Sequence, residues 1–445
     1  MTSYKWVNLK EVAASQTGPF GSQLHESDYV SQGTPIVTVE HLGETGFTRQ
    51  NLPFVSDADK QRLAKYILKE GDIVFSRVGS IDRCTYVTKN EDGWMFSGRC
   101  IRVRANNKVN SIYLNFYFRQ SFFKKMMLNI SVGATMPSLN TKLMDSIPLY
   151  LPSLKYQNSI AKILSDFDSK IELNYKIITE LEATSKLIYD YWFLQFDFPN
   201  EQGKPYKSSG GKMVYNKELK REIPDGWLAC KLGDVVQKIG TGLNPRDNFI
   251  LGEGENYYVT IKNIEQGKVI LNNKCDKISN ESLQIINKRS DLRSGDILFT
   301  SIEPVGTTYL IRKKPVNWDI NESVFTIRPK YEKVSSEFLY LFLSGKYIKA
   351  YTKNVSAGSI HKGVRHSTLK DCKFILPKKE IVDSFTIQLI PILDKLDIIQ
   401  RENQNLIELR DWLLPMLMNG QVTIGEAEEK LNMAAEPGEI YGSTK

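Results

Sequence analysis

Cysteine is scarce in this chain and histidine scarcer. The five cysteines among 445 residues, Cys84, Cys100, Cys230, Cys275 and Cys372, lie far apart with no Cys-x-x-Cys pair, which excludes a disulfide framework and a zinc knuckle. None of the four histidines falls at His-x-x-x-His spacing, so no metal centre is signalled. A reduced, cytoplasmic protein is the expectation. The opening stretch, MTSYKWVNLKEVAAS, has no apolar centre, so no secretory signal is expected. No run reaches the ~18 apolar residues that a spanning helix needs. Catalytic signatures are missing as well. There is no Gly-x-Gly-x-x-Gly turn or P-loop to cradle phosphate, and no Gly-x-Ser-x-Gly nucleophile elbow. Asn244-Pro245 is followed by Arg246, not by the Pro-Tyr or Pro-Phe of amino-methyltransferases. Pro224-Asp225 is not closely followed by an acidic-x-Lys tripeptide, and one that fits elsewhere, Asp168-Ser169-Lys170, lies in a heptad region where solvated charge is expected. A self-contained methyltransferase or nuclease is therefore disfavoured.

What the chain does have is itself, twice. Gly71-Asp72-Ile73-Val74-Phe75-Ser76 recurs as Gly295-Asp296-Ile297-Leu298-Phe299-Thr300, 224 positions on. Cys100-Ile101-Arg102-Val103-Arg104 recurs as Val324-Phe325-Thr326-Ile327-Arg328 at the same offset. Thr38-Val39-Glu40-His41-Leu42 becomes Thr260-Ile261-Lys262-Asn263-Ile264, and Leu151-Pro152 becomes Leu376-Pro377. A period of half the chain means two tandem domains of one design rather than a solenoid, and such a duplicate resembles a dimer with its subunits joined. Hydrophobic content of 41% with 25% charge is that of a globular protein. A net charge of +8, from 59 Lys+Arg against 51 Asp+Glu, is compatible with a polyanionic partner.

Each repeat opens with about 150 residues of mixed pattern. Short β-branched runs, such as Thr34 to Val39 and Asp72 to Phe75, read as strands. Helical periodicity covers Ser111 to Leu128, with Tyr113, Leu114, Tyr117, Phe118 and Phe122 on one face, and its counterpart runs from Ser336 to Tyr351. A long heptad seam follows: Phe167, Ile171, Asn174, Ile178, Leu181, Ser185, Ile188 and Trp192. The second repeat carries it in register as Ile392, Leu396, Ile399, Asn403, Leu406, Arg410, Leu413 and Leu417. Outside the seam, Ile177, Leu187, Ile398 and Leu409 offer apolar side chains to a partner.

Between the framework strands lie glycine-bounded polar loops that keep their place but change their sequence. Thr17 to Ser22 stands against Gly240 to Arg246, Ser76 to Ser80 against Thr300 to Gly306, and Gly133 to Asn140 against Gly358 to His366. A retained frame with divergent loops suits two readers of different targets. Small hydroxyls and N–H groups suit phosphates, while Arg, Asn and His suit base edges. The candidate DNA contacts are Ser76, Arg77, Ser80, Thr135, Ser138 and Asn140 in the first repeat. In the second they are Arg246, Thr300, Ser301, Ser359, His361, Lys362, Arg365 and His366.

The junction is the most specific stretch. Tyr191-Trp192-Phe193-Leu194-Gln195-Phe196-Asp197-Phe198-Pro199, then Gly203 to Lys212, then Glu222-Ile223-Pro224-Asp225-Gly226-Trp227 resemble the central segment of specificity subunits of Type I restriction-modification systems. Ile147-Pro148-Leu149-Tyr150-Leu151-Pro152 fits the same family, although Tyr156-Gln157 and Lys379-Glu380 stand where a Glu-Gln pair is common. The resemblance spans residues 1 to 420. It implies a mixed α/β tandem duplicate of pseudo-two-fold symmetry, with two globular target-recognition domains separated by two long antiparallel coiled-coil helices. The expected segments are target-recognition domain 1 at 1–152, spacer helix 1 at 153–196, a linker at 197–222, target-recognition domain 2 at 223–377, spacer helix 2 at 378–420 and a flexible tail at 421–445. The implied partners are double-stranded DNA, two methyltransferase subunits and a restriction translocase. The implied chain binds no cofactor and no metal and has no active site. Its partners would use S-adenosylmethionine, and ATP with magnesium. A coiled-coil scaffold with no nucleic-acid role is the remaining alternative.

Overall fold

A computed structural model describes residues 4–43, 46–131, 137–265, 267–356 and 363–435. The chain forms two compact units, Met1–Lys176 with Ile398–Lys445, and Ile177–Asp397.

In the first unit, the run Asp72–Ser76 is buried at all five positions, with apolar Ile73, Val74 and Phe75 between polar Asp72 and Ser76. It is the third strand of a four-stranded antiparallel sheet, after Ala13–Thr17 and Cys100–Ala105 and before Cys84–Tyr86. A three-stranded sheet sets Thr34–Val37 between Phe54–Val55 and Met95–Phe96, the last pairing parallel. Lys5–Asn8 pairs antiparallel with Pro148–Leu151. The second unit repeats every sheet in the same order. Val236–Thr241, Val324–Pro329, Ile297–Thr300 and Thr308–Leu310 form the four-stranded one. Asp276–Ile278, Asn256–Val259 and Trp318–Ile320 form the three-stranded one, and Leu228–Lys231 pairs with Lys373–Leu376.

The duplication reaches into the buried polar groups. Asp72 receives Nε and Nη2 of Arg104, each at 2.6 Å, and Asp296 receives the same atoms of Arg328 at 2.7 and 2.8 Å. In each pair Oδ2 also accepts a backbone N–H, from Lys69 and from Arg293. Burial of these carboxylates is tolerable because each is held bidentately by a guanidinium. Gly71 and Gly295 precede them at φ +90° and +86°, a left-handed turn that favours glycine.

The helical stretch of each repeat is two helices rather than one. Ser111–Arg119 and Ser121–Ile130 are broken at Gln120, and Ser336–Ser344 and Lys346–Ser356 at Gly345; both break residues have extended backbone. Tyr113, Leu114, Tyr117 and Phe118 are buried as the period requires, but Phe122, past the break, is 47% exposed.

Two long helices follow, Leu154–Tyr189 of 36 residues, continued by a π turn over Asp190–Leu194, and Lys379–Met418 of 40. At ~1.5 Å per residue these are about 54 and 60 Å long. The seam is their buried side. In the first unit Phe167 and Ile171 share a core with Leu406, Leu413 and Leu417. There Asp168 bonds Arg410 and Lys170 meets Glu402, so the two segments run antiparallel. In the second unit Tyr189 and Trp192 pack on Phe385. Asp168 is thus an ion-pair partner, not the solvated charge its heptad setting suggested.

The polar linker segment 197–222 is folded, and one expectation beyond it needs correction. Met213–Asn216 pairs with Arg221–Pro224, Ser208 donates to Asp197, and Phe198 stacks on both Tyr206 and Trp227. Aromatic residues spaced through a Gly-Lys-Ser background fold it down. The segment 421–445 is not all tail: Ile424–Ala435 is a helix, with Ala427 fully buried in the first unit's core. Residues 436–445 lie outside the described residues.

Candidate nucleic-acid interface

The polar loops converge at one end of the four-stranded sheet in each unit. Thr17 pairs with Ile101 and Ser76 with Cys100, so the segments after Thr17 and Ser76 and the turn before Cys100 emerge at the same edge. Val78 bridges Ser138, Gly79 donates to the Pro137 carbonyl, and Leu139 N–H donates to Arg77 O at 2.9 Å. Unit 2 builds the same frame. Ile302 bridges Gly363, and Val364 N–H donates to Ser301 O at 2.8 Å. Arg77 N–H to Arg99 O at 2.8 Å matches Ser301 N–H to Ser323 O at 2.9 Å. Gly18 and Gly242 hold the first loop against this turn. A Cβ on Gly18 would collide with the Ser97 carbonyl, and one on Gly242 with that of Ile320, so glycine is required by close approach.

The candidate residues divide into frame and rim. Ser76 is fully buried and donates to Val78 O at 2.8 Å. Thr300, also fully buried, donates to Pro304 O at 2.5 Å, and Ser301 donates to Ser323 O at 2.8 Å. These hydroxyls satisfy loop backbone. Asn140 is exposed but caps helix Thr141–Asp145, accepting from Leu143 N–H at 2.9 Å. Arg77 is half-buried, donates to Leu139 O and Gly98 O at 3.3 and 3.2 Å, and lies 5.6 Å over the Phe20 ring. It ties three loops together. Ser138 is half-buried beside Val78. Ser80, Arg246 and Arg365 are exposed at the rim. Thr135, Ser359, His361 and Lys362 lie outside the described residues.

His366 is half-buried, its ring edge-on to Phe325 at 4.2 Å and its Nε2 without a hydrogen-bond partner. Burial, with Lys370 and Arg289 nearby, pushes its pKa below the usual histidine range. The neutral ring has one donor and one acceptor.

The turn Ser97-Gly98-Arg99, against Asn321-Glu322-Ser323, is a matched pair of loops that the sequence reading missed. Arg99, whose repeat counterpart is Ser323, and Glu322, whose counterpart is Gly98, are both exposed, so the two turns carry different charges at neighbouring positions. Phe20 is 58% exposed beside it, and in unit 2 exposed Arg289 donates to Thr241 Oγ1 at 3.4 Å. The signal was available: Arg99 immediately precedes a repeated strand, at a position where the two halves diverge.

On the long helices, Leu187 is 66% exposed and Ile398 41%, whereas Ile177 is half-buried and Leu409 packs against the first unit's core. Leu409 is therefore only partly exposed. Leu173 and Trp412, 51% and 45% exposed, are the stronger companions. Leu173 and Ile398 occupy one repeat position, and Leu187 and Trp412 another. Among the described residues no cluster of three or more His, Cys, Asp or Glu could hold a metal ion, and no helix is long and apolar enough to cross a membrane.

A tandem α/β repeat with long paired helices and divergent loop rims is the architecture of a specificity module. The model of the Type I restriction modification DNA specificity domain matches residues 1–183 and again 224–410, and the chain belongs to that family. The MjaX specificity subunit of Methanocaldococcus jannaschii is 26% identical over 398 residues, 88% of each chain. The Type I restriction enzyme HindI specificity subunit of Haemophilus influenzae is 24% identical over 416 residues, 81% of this chain and 88% of that one. The crystal structure of the Type I restriction-modification S subunit from M. genitalium covers 94% of this chain and 96% of its own, with a TM-score of 0.59 at 13% identity, a likeness of fold.

Proposed function

We propose that this chain is the non-catalytic, DNA-reading subunit of a Type I restriction-modification complex, each repeat reading one half of a bipartite site. The observation that carries the reading is the pair of loop rims: one hydrogen-bond frame built twice, with Arg99, Phe20 and Ser80 on one copy and Glu322, Arg246, Arg365 and His366 on the other. Two identical frames with different side chains make two different donor and acceptor patterns, which is how a major groove is read. The long helices set the spacer between the half-sites. Their exposed apolar pairs, Leu173 with Ile398 and Leu187 with Trp412, dock two copies of a methyltransferase subunit, because one surface displayed twice fits one partner twice. The partners supply S-adenosylmethionine-dependent adenine methylation, and a restriction translocase supplies ATP- and magnesium-dependent cleavage, in the cytoplasm.

Mapping methylated adenines in DNA exposed to this chain with its methyltransferase tests the reading. A motif of two short read blocks around a fixed run of unread bases is expected. Methylation at a single continuous motif, or turnover by the chain alone, would overturn it.

A further inference from the structure

The first unit contains a cleft of about 700 Å³ that neither loop reading nor helix docking uses. Four cationic side chains and two carboxylates line it, with apolar walls from Phe122, Leu414 and Pro415. Arg119 and Arg410 lie at its edge, joined through Asp168: Arg119 Nη1 donates to Oδ2 at 3.1 Å and Arg410 Nη1 to Oδ1 at 2.7 Å. Arg410 also spends Nε and Nη2 on Asp411, while Nε and Nη2 of Arg119 have no such use. Helix Ser121–Ile130 starts in the same wall, and its cap residue, Gln120, makes no side-chain capping bond. A helix start presents free N–H groups and the positive end of the dipole.

Gln120 makes this more than a helix end. It is 6% exposed and lines the cleft, and its amide nitrogen is buried without a hydrogen-bond partner. A buried donor without an acceptor is costly. Here it sits beside a guanidinium with donors to spare and a helix N-terminus, so the missing acceptor is anionic. The second repeat supplies an internal comparison. At the positions of Arg119, Gln120, Asp168 and Arg410 it has Ser344, Gly345, Leu393 and Ser185, with no charge and no amide. The arrangement belongs to the first unit only and is not part of the common frame.

We propose that this cleft binds the terminal phosphate of a small phosphorylated molecule, held by Arg119, the Gln120 amide and the first N–H groups of the Ser121 helix. Its recess and volume suit a mononucleotide-sized ligand better than a passing DNA backbone, and Phe122 offers a face for an aromatic or apolar body.

The test is titration of the full chain with pyrophosphate, read by calorimetry and by thermal melting. Saturable binding at one site and a raised melting temperature are expected for the natural protein. Gln120→Glu, which sets a carboxylate where the amide stood, should weaken binding by about tenfold or more. Arg119→Gln should do likewise and Arg119→Lys should restore part, so a general folding defect is told apart by the melting curves without ligand. Absence of saturation at roughly millimolar pyrophosphate, or equal binding by well-folded Gln120→Glu, overturns the site. Displacement of pyrophosphate by a short DNA duplex, with duplex binding weakened in Gln120→Glu, overturns the small-molecule source and assigns the phosphate to the DNA backbone.

Discussion

A buried carboxylate without a direct ion pair is an expense, and Asp319 forms none among the described residues, Lys238 acting on it only from a distance. It is fully buried, bonded to Ser290 Oγ and Ile320 N–H at 2.7 Å each, and burial pushes its pKa up to about 6. Its repeat counterpart is Met95. The folded pKa lies above the ordinary value of about 3.9, so the folded chain holds its proton longer than the unfolded chain. Stability therefore falls as pH rises from about 4 through 6, by up to about 3 kcal/mol. Asp319→Asn should stabilise the protein at pH 7.5, with the gain vanishing as pH falls toward 4. A melting series in which the variant and the natural protein stay parallel across that window would show the carboxylate is not strained. At the rim, Arg365→Ala should cost about 1–3 kcal/mol of DNA affinity and relax one base position in the second half-site. An unchanged methylation motif and affinity would remove Arg365 from the reading surface. Ser76, Thr300 and Ser301 show why residue types alone mislead: a loop hydroxyl that closes its own backbone and one that faces a ligand look identical in sequence.

Strands and long helices were the legible elements, because their periods differ and each occurs twice. The heptad positions Asn174 and Asn403 are 2% exposed, so even the polar interruptions lie on the buried side. The break at Gln120 and Gly345 was not legible. Neither residue forbids a helix, yet both take extended backbone. Likewise Leu409 reads as an outer-face residue by heptad position, but it is partly buried against the first unit's core. The helices carry two predictions. Inserting four residues near Glu180, about one turn and ~6 Å of rise, should lengthen the unread spacer by one or two base pairs and leave the read bases unchanged. An active insertion variant with the original spacer would show that the helices are not the ruler. Leu187→Asp, at a side chain already 66% exposed, should cost methyltransferase binding with little change in melting temperature. Full subunit binding by that variant in a pull-down would move the dock elsewhere.

The whole molecule is a duplicate whose halves share a frame down to the Asp72–Arg104 and Asp296–Arg328 pairs and differ at their rims. That division was visible in the sequence: aligned repeats show what is kept and what varies. The particular contacts were not visible, since a rim is assembled from segments over a hundred residues apart, Thr17 with Ser138 and Thr241 with Arg365. If the frame holds each rim independently, the halves are interchangeable parts. The most direct test replaces residues 1 to 150 with the first domain of another family member and maps methylated adenines with the methyltransferase present. One half of the recognised motif should change while the other half and the spacer stay as they were. If both halves change together, or neither does, the repeats do not read DNA independently.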